Sequence, residues 1–249
     1  MAAYGTIDEA IRGLKYGLGP DGRIEGGWAC KEADGIEFGD PVFGYVGDNI
    51  SCYKFKNDVG KIVFDADFEA SNVITITVNS VAAADVTFTT DHDTTAGLVV
   101  DAINALTGVK AVLDSTDTDN RTFLIQTKGQ TAVVAEAVTG GSGQPDGTIT
   151  YGSSQVFLGV ALFSQNQPKL YEQYDAVNVM ADGELWVEPV ATVYAGQAGY
   201  VDNAATDIGE FSNAGVEING TYRSNATSGN LARLRVLGQK QMTYAGLFV

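Results

Sequence analysis

The chain is dominated by short apolar or alternating runs separated by turn residues. Residues 40–45, 51–55, 156–163, 176–180, 184–193 and 231–236 each combine β-branched, aromatic or aliphatic residues in runs of strand length. Gly35, Gly39, Gly47-Asp48-Asn49, Ala181-Asp182-Gly183 and Asn219-Gly220 punctuate them. Asp182-Gly183, between VNVM and ELWVEPV, predicts a tight hairpin, because such turns need positive φ that Asp and Gly tolerate. Many short strands with regular turns predict a small barrel or sandwich.

The middle of the chain has a different pattern. Val73–Val78 alternates β-branched residues and predicts a strand, and Ala84–Thr89 predicts its return. Leu98, Val99, Ala102, Ile103 and Leu106 then fall on one helical face. Asp93 or Thr94 is placed to cap this helix, and Gly108 to stop it. Strands follow at 110–113, 122–127 and 131–138, and the Gly140–Gly147 stretch reads as a flexible exit linker. The expected fold class is therefore mainly β: a small β-barrel or sandwich core interrupted by an α+β insertion domain. The boundaries predicted are 1–64 plus 151–249 for the discontinuous body, with 1–26 as an N-terminal arm, and 65–150 for the insert. In that arm, Thr6 and Glu9 fit a capping box, and Ile7, Ala10, Ile11, Leu14 and Leu18 form one apolar stripe of a short helix.

Charge sharpens the division. The chain carries 31 acidic and 15 basic residues, a net −16. Residues 65–150 hold 12 of the acids and 3 of the bases, so over half of the net charge sits in the insert. Such a field repels nucleic-acid phosphates and anionic lipid, so neither is an expected partner. No apolar run is long enough to span a bilayer, and the first residues lack the apolar core of a secretion signal. Synthesis and retention in a cytoplasm are expected, with Cys30 and Cys52 as reduced thiols.

Candidate chemistry is sparse. One histidine, His92, leaves no multi-histidine metal site and little room for a catalytic triad. Gly17–Gly22 spells G-x-G-x-x-G, but a helix precedes it where a dinucleotide site needs a strand. Asp91-His92-Asp93 reads as helix capping with an exposed imidazole. Asp114, Asp117, Asp119 and Asn120 read as a turn, since the spacing lacks the glycine and glutamate of a calcium loop. Trp186, Tyr194, Tyr200, Phe211, Tyr222 and Tyr244 suit core, interface or a sugar platform. Arg233 and Arg235 alternate in ARLRV and share one strand face, where they would meet carboxylates of a partner or a neighbouring subunit. No catalytic residue, metal ligand or cofactor is assigned.

Five blocks carry a resemblance: FGDPVFGY (38–45), FLGVALFS (157–164), YDAVNVMADGELWV (174–187), AGQAGYV (195–201) and GNLARLRV (229–236). In this order they resemble phage capsid cement (decoration) proteins. The resemblance implies a compact β-barrel, usually oligomeric with a trimer favoured, on the outside of an icosahedral head. It implies a major capsid protein as partner and a location in the virion, after synthesis in the bacterial host. Residues 65–150 do not resemble the cement core. Ile7, Ile11, Leu14, Arg233, Arg235, Leu247 and Phe248 are the candidate capsid or subunit contacts. Two other readings stay open: a surface-exposed binding module, for example for host-surface carbohydrate, and another structural part of the virion such as a tail component.

Overall fold

The computed structural model describes residues 12–15, 22–165, 167, 169–204 and 206–244. Ile7, Ile11, Leu247 and Phe248 lie outside them. In chain order come β1 (Arg23–Cys30), β2 (Ile36–Glu37), β3 (Pro41–Tyr45) and β4 (Ser51–Cys52). Next are β5 (Val59–Phe64), β6 (Val73–Val78), β7 (Val81–Ala82), β8 (Val86–Thr87), α1 (His92–Asn104), β9 (Val109–Leu113), β10 (Thr122–Thr127), β11 (Val134–Thr139) and β12 (Gly147–Gly152). The chain ends with β13 (Gln155–Ala161), β14 (Leu170–Tyr171), β15 (Ala176–Val187), β16 (Ala198–Val201), β17 (Phe211–Ser212), β18 (Val216–Tyr222), β19 (Ala232–Leu237) and β20 (Lys240–Gln241). The fold is mainly β, with a nearly closed barrel-like sheet.

The chain divides into two compact units, one ending at residue 56 and resuming at 155, the other spanning 57–154. The predicted cuts at 64 and 151 are displaced because β5 and β12 pair with each other from Phe64↔Gly147 to Val59↔Gly152, and β5 also pairs β10. Both strands belong to the insert's own sheet.

In the body, ten strands form one sheet, in the order β17-β16-β18-β19-β15-β1-β4, with β13 pairing β15, β20 and β3. A Phe43↔Tyr53 bridge brings β3 back beside β4, so β15, β1, β4, β3 and β13 close on themselves. Strands β3 and β13 are buried on both faces, and β15 is so at residues 179–181. Val42, Val156 and Val179 point into one core with Cys30, Cys52 and Tyr171. Phe43, Phe157 and Met180 point into another with Phe55, Phe211 and Tyr222. This is why VFLGVALF reads as an uninterrupted apolar run rather than an alternation.

Two turn predictions fail here. Asp182-Gly183 lies inside β15, and Asn219-Gly220 inside β18. Gly183 has φ +143, and a Cβ there would sit 2.5 Å from the Met180 sulfur. The glycine marks the point where β15 changes neighbours: residues 176–182 pair with β1, and residues 182–187 pair with β19.

In the insert, β12-β5-β10-β9 and β11-β6-β7, with β8 on β6, enclose one core with the helix. Asp91, not Asp93 or Thr94, caps α1, accepting the Thr94 N–H at 2.7 Å. The buried face is His92, Thr95, Ala96, Val99 and Ile103, rotated from the predicted stripe so that Leu98 is exposed. The predicted exit linker is not loose: Asn72 Nδ2 donates to the Gly140 and Gly143 carbonyls, both at 2.9 Å. The ends of the insert are tied together. Buried Asp58 accepts from the Ser154 N–H at 2.9 Å and its hydroxyl at 2.5 Å, and Gln126 Nε2 donates to that hydroxyl.

Candidate functional site

The predicted contact residues are best followed from β15 and β19. Register sets Trp186 opposite Arg233 and Glu184 opposite Arg235. Alternation sends Leu185, Val187, Leu234 and Val236 into the core, leaving Glu184, Trp186, Arg233 and Arg235 on the outward face. The two arginines share a face, as their spacing predicts, but their partners lie within the chain. Arg235 Nη2 lies 3.1 Å from Asp182 Oδ1, and Arg233 Nη2 donates to the Arg223 carbonyl at 3.2 Å. Arg223 in turn faces Glu184 at 3.7 Å. Such partly exposed pairs contribute roughly 0–1 kcal/mol each, so they orient these side chains more than they stabilise the fold.

Leu14 is not on a helix. Residues 12 and 13 form a turn, and Lys15 bridges Leu185 in an antiparallel sense. Gly13 N–H donates to the Trp186 carbonyl at 2.8 Å, and Trp186 N–H to the Leu14 carbonyl at 3.1 Å. On the other side, Phe163 N–H donates to the Gly13 carbonyl at 2.9 Å. The segment thus lies between β15 and the continuation of β13 and is hydrogen-bonded to both. The fit leaves no room for side chains at the crossing: a Cβ on Gly13 would lie 2.7 Å from the Gly39 nitrogen and 2.8 Å from the Ala161 oxygen.

Arg12 seals the insertion. Its guanidinium bonds Glu37 at 3.1 Å, Glu210 at 3.2 Å, and Asp40. Asp40 is buried and also accepts the Glu37 N–H at 2.9 Å, with Lys54 at 3.6 Å. Burial raises the Asp40 pKa, against the pull of Arg12 and Lys54. Burial also raises Glu210, helped by repulsion from Asp40 and opposed by Arg12. This four-residue constellation is absent from the sequence reading. Its only sequence signal is Asp40, an acid set inside the apolar run FGDPVFGY.

Other predicted chemistry resolves into structure. His92 is buried, not exposed: its Nδ1 accepts the Phe68 N–H at 2.9 Å, and its Nε2 faces the Asn120 carbonyl at 3.2 Å. Those partners require the neutral form with the proton on Nε2. Asp114 and Asp117 accept backbone N–H groups of Thr116, Asp119 and Arg121 in the turn. Among the described residues no three His, Cys, Asp or Glu side chains converge as a metal site. No helix among them is long and apolar enough to cross a membrane. Cys30 and Cys52 are free, buried, and register partners on β1 and β4, and burial raises both thiol pKa values. Phe211 and Tyr222 are core, whereas Tyr194 is exposed.

The β body thus holds two hydrophobic cores and an outward face of arginines and carboxylates. The chain belongs to the structural cement protein family of phages (E217 gp24/Pam3 gp6), whose profile matches residues 104–237, more than half of its length. The match begins at the end of α1, so it takes in β9–β12 of the insert as well as the body up to β19. Residues 65–150 were expected to stand apart from the cement core, and their second half lies within the family match. A comparison with curated proteins returns no match.

Proposed function

We propose that this structural virion protein binds the outside of an icosahedral phage head and bridges neighbouring capsomers, with the major capsid protein as its partner. The family match over residues 104–237 carries this reading. The protein acts as a homo-oligomer, a trimer in the favoured arrangement, and performs no reaction. It is made in the cytoplasm of the bacterial host and ends on the capsid exterior. Leu14, and Arg233 and Arg235 on the outward face of β19, together with Ile7, Ile11, Leu247 and Phe248, are the contacts proposed for capsid or neighbouring subunits.

The physical basis is mass action. A ligand that binds only the assembled shell stabilises it by RT ln(1 + [L]/Kd) per site, about 2.7 kcal/mol at a hundredfold excess over Kd. Many copies that each straddle two capsomers add multivalency. The test is to mix purified protein with undecorated capsids and heat them. The rupture temperature should rise and saturate with added protein; an unchanged rupture temperature, with no protein on the shells, overturns the proposal.

A further inference from the structure

Residues 12–14 are held by hydrogen bonds and ion pairs to residues distant in sequence. Arg12 reaches Glu37, Asp40 and Glu210, while Gly13 and Leu14 bond to Trp186 and Phe163. The slot is assembled by β2, β15 and the segments around Asp40, Phe163 and Glu210. Emptied, it would expose the Trp186 and Phe163 N–H groups at an internal gap in the sheet. It would also leave buried Asp40 without its guanidinium. A gap of that kind is built for a strand, and the three carboxylates specify that the strand carry an arginine.

We infer that residues 12–15 act as a donor segment, and that the slot accepts this segment from a second copy of the chain as well as from its own. The same hydrogen bonds and ion pairs form in either case, so the two arrangements differ only in the connection to β1. That connection, residues 16–21, reads Tyr-Gly-Leu-Gly-Pro-Asp. Fully extended it reaches about 25 Å, so exchange is restricted to copies in contact. The inference stands on the slot alone and does not depend on capsid binding.

Two measurements test it. In the first, a photo-reactive leucine analogue replaces Leu14, and isotopically heavy and light full-length copies are mixed at high concentration and illuminated. Cross-links from heavy position 14 to light peptides around Trp186 or Phe163 are expected. Cross-links confined to one isotope overturn exchange. In the second, a fluorescent peptide of residues 1–18 is titrated into full-length Arg12→Ala protein and into the unaltered protein. Binding should be at least tenfold tighter to the variant, whose own strand is weakened. A peptide carrying Arg12→Ala should bind at least tenfold more weakly than the native peptide. Equal binding of the two peptides overturns recognition by the carboxylates. If Arg12→Ala does not melt cooperatively, Arg12→Lys serves as the host, since an ammonium cannot span three carboxylates.

Discussion

Asn104 ends α1 and covers the free edge of β9 with the same side chain. Its Oδ1 accepts the Ala111 N–H at 2.7 Å and its Nδ2 donates to the Ala111 carbonyl at 3.1 Å. An amide can copy a neighbouring strand in this way because it offers a donor and an acceptor side by side. β9 is the last strand of its sheet, so the amide also blocks a site where another chain could pair. Asn104→Ala should cost about 1–2 kcal/mol in denaturant unfolding, because both backbone groups of Ala111 lose their partner. Asn104→Asp keeps the acceptor but sets a carboxylate oxygen against the Ala111 carbonyl, and should cost at least as much. Equal stability of all three proteins would show that water replaces the amide at no cost. His92 illustrates the same scale from the opposite side. Next to Asp91 and Asp93 it reads as a surface residue, and only the fold reveals that Phe68 and Asn120 wrap its ring.

At the level of elements, β13 carries the most information. Leu158 and Gly159 form a bulge against β3, where register slips between Phe157 and Gly159. The extra residue keeps Phe157 and Val160, three apart, in the same core, although a regular strand would send them to opposite faces. Gly159 has φ +148, and a Cβ there would fall 2.2 Å from the Met180 carbonyl oxygen. Gly159→Ala should therefore destabilise the body by about 3 kcal/mol, combining an unfavourable φ with overpacking against backbone. A melting temperature within a degree of the parent would show that β13 and β15 can part there. The strands themselves were legible: β6 and β10 lie where apolar runs placed them, because patterning and β-branching act locally. The turns at Asp182-Gly183 and Asn219-Gly220 were misread, since a glycine needed for a bend or a close approach is written like one needed for a turn. Of the predicted helical stripe only Leu14 lies among the described residues, and at residues 12–15 two neighbouring backbones and three carboxylates, none of them near in sequence, outweigh helix propensity. The Arg12 slot was therefore invisible, because its parts span Arg12 to Glu210.

At the scale of the molecule, the hydrogen bonds that tie the ends of the insert predict a body that folds without it. Within the body, Lys56 N–H donates to Gln155 Oε1 at 2.8 Å, and Gln155 Nε2 donates to the Lys54 carbonyl at 3.1 Å. Removing residues 57–154 and joining 56 to 155 through a few glycines asks the chain to span only that hydrogen-bonded gap. The shortened protein should melt cooperatively and still attach to capsids. Aggregation, or a body without a transition, would show that its two cores depend on the insert.

Acid should act on the whole protein in two opposite stages. Burial raises the pKa of Asp40, Asp58, Glu136 and Glu210 above their ordinary values of 3.8 for the aspartates and 4.5 for the glutamates. A raised carboxylate binds its proton more tightly folded than unfolded. Its contribution is complete below the ordinary value and is lost as pH rises through the folded one. Asp67, Asp91, Asp114 and Asp117 are shifted the other way. Hydrogen bonds do this: from Arg121 to Asp67, the Thr94 N–H to Asp91, the Thr116 N–H to Asp114, and Thr122 to Asp117. Their contribution is present above pH 3.8 and disappears as pH falls through the lowered values. The net charge of −16 at pH 7 adds self-repulsion that mild acid relieves. The melting temperature should therefore climb as pH falls from 7 toward 5 and turn down below about 4, where the second group is protonated. Differential scanning calorimetry from pH 7.5 to 3 follows this directly. A melting temperature that declines steadily from pH 7 to 5 would mean that the buried carboxylates are held ionised by their partners, Arg12 foremost. Replacing Asp58 and Glu136 with their amides would separate the two cases, because their shifts do not depend on Arg12. A climb that shrinks in that double variant assigns it to the two carboxylates of the insert, and a climb that persists assigns it to Asp40 and Glu210 together with the relief of the net charge.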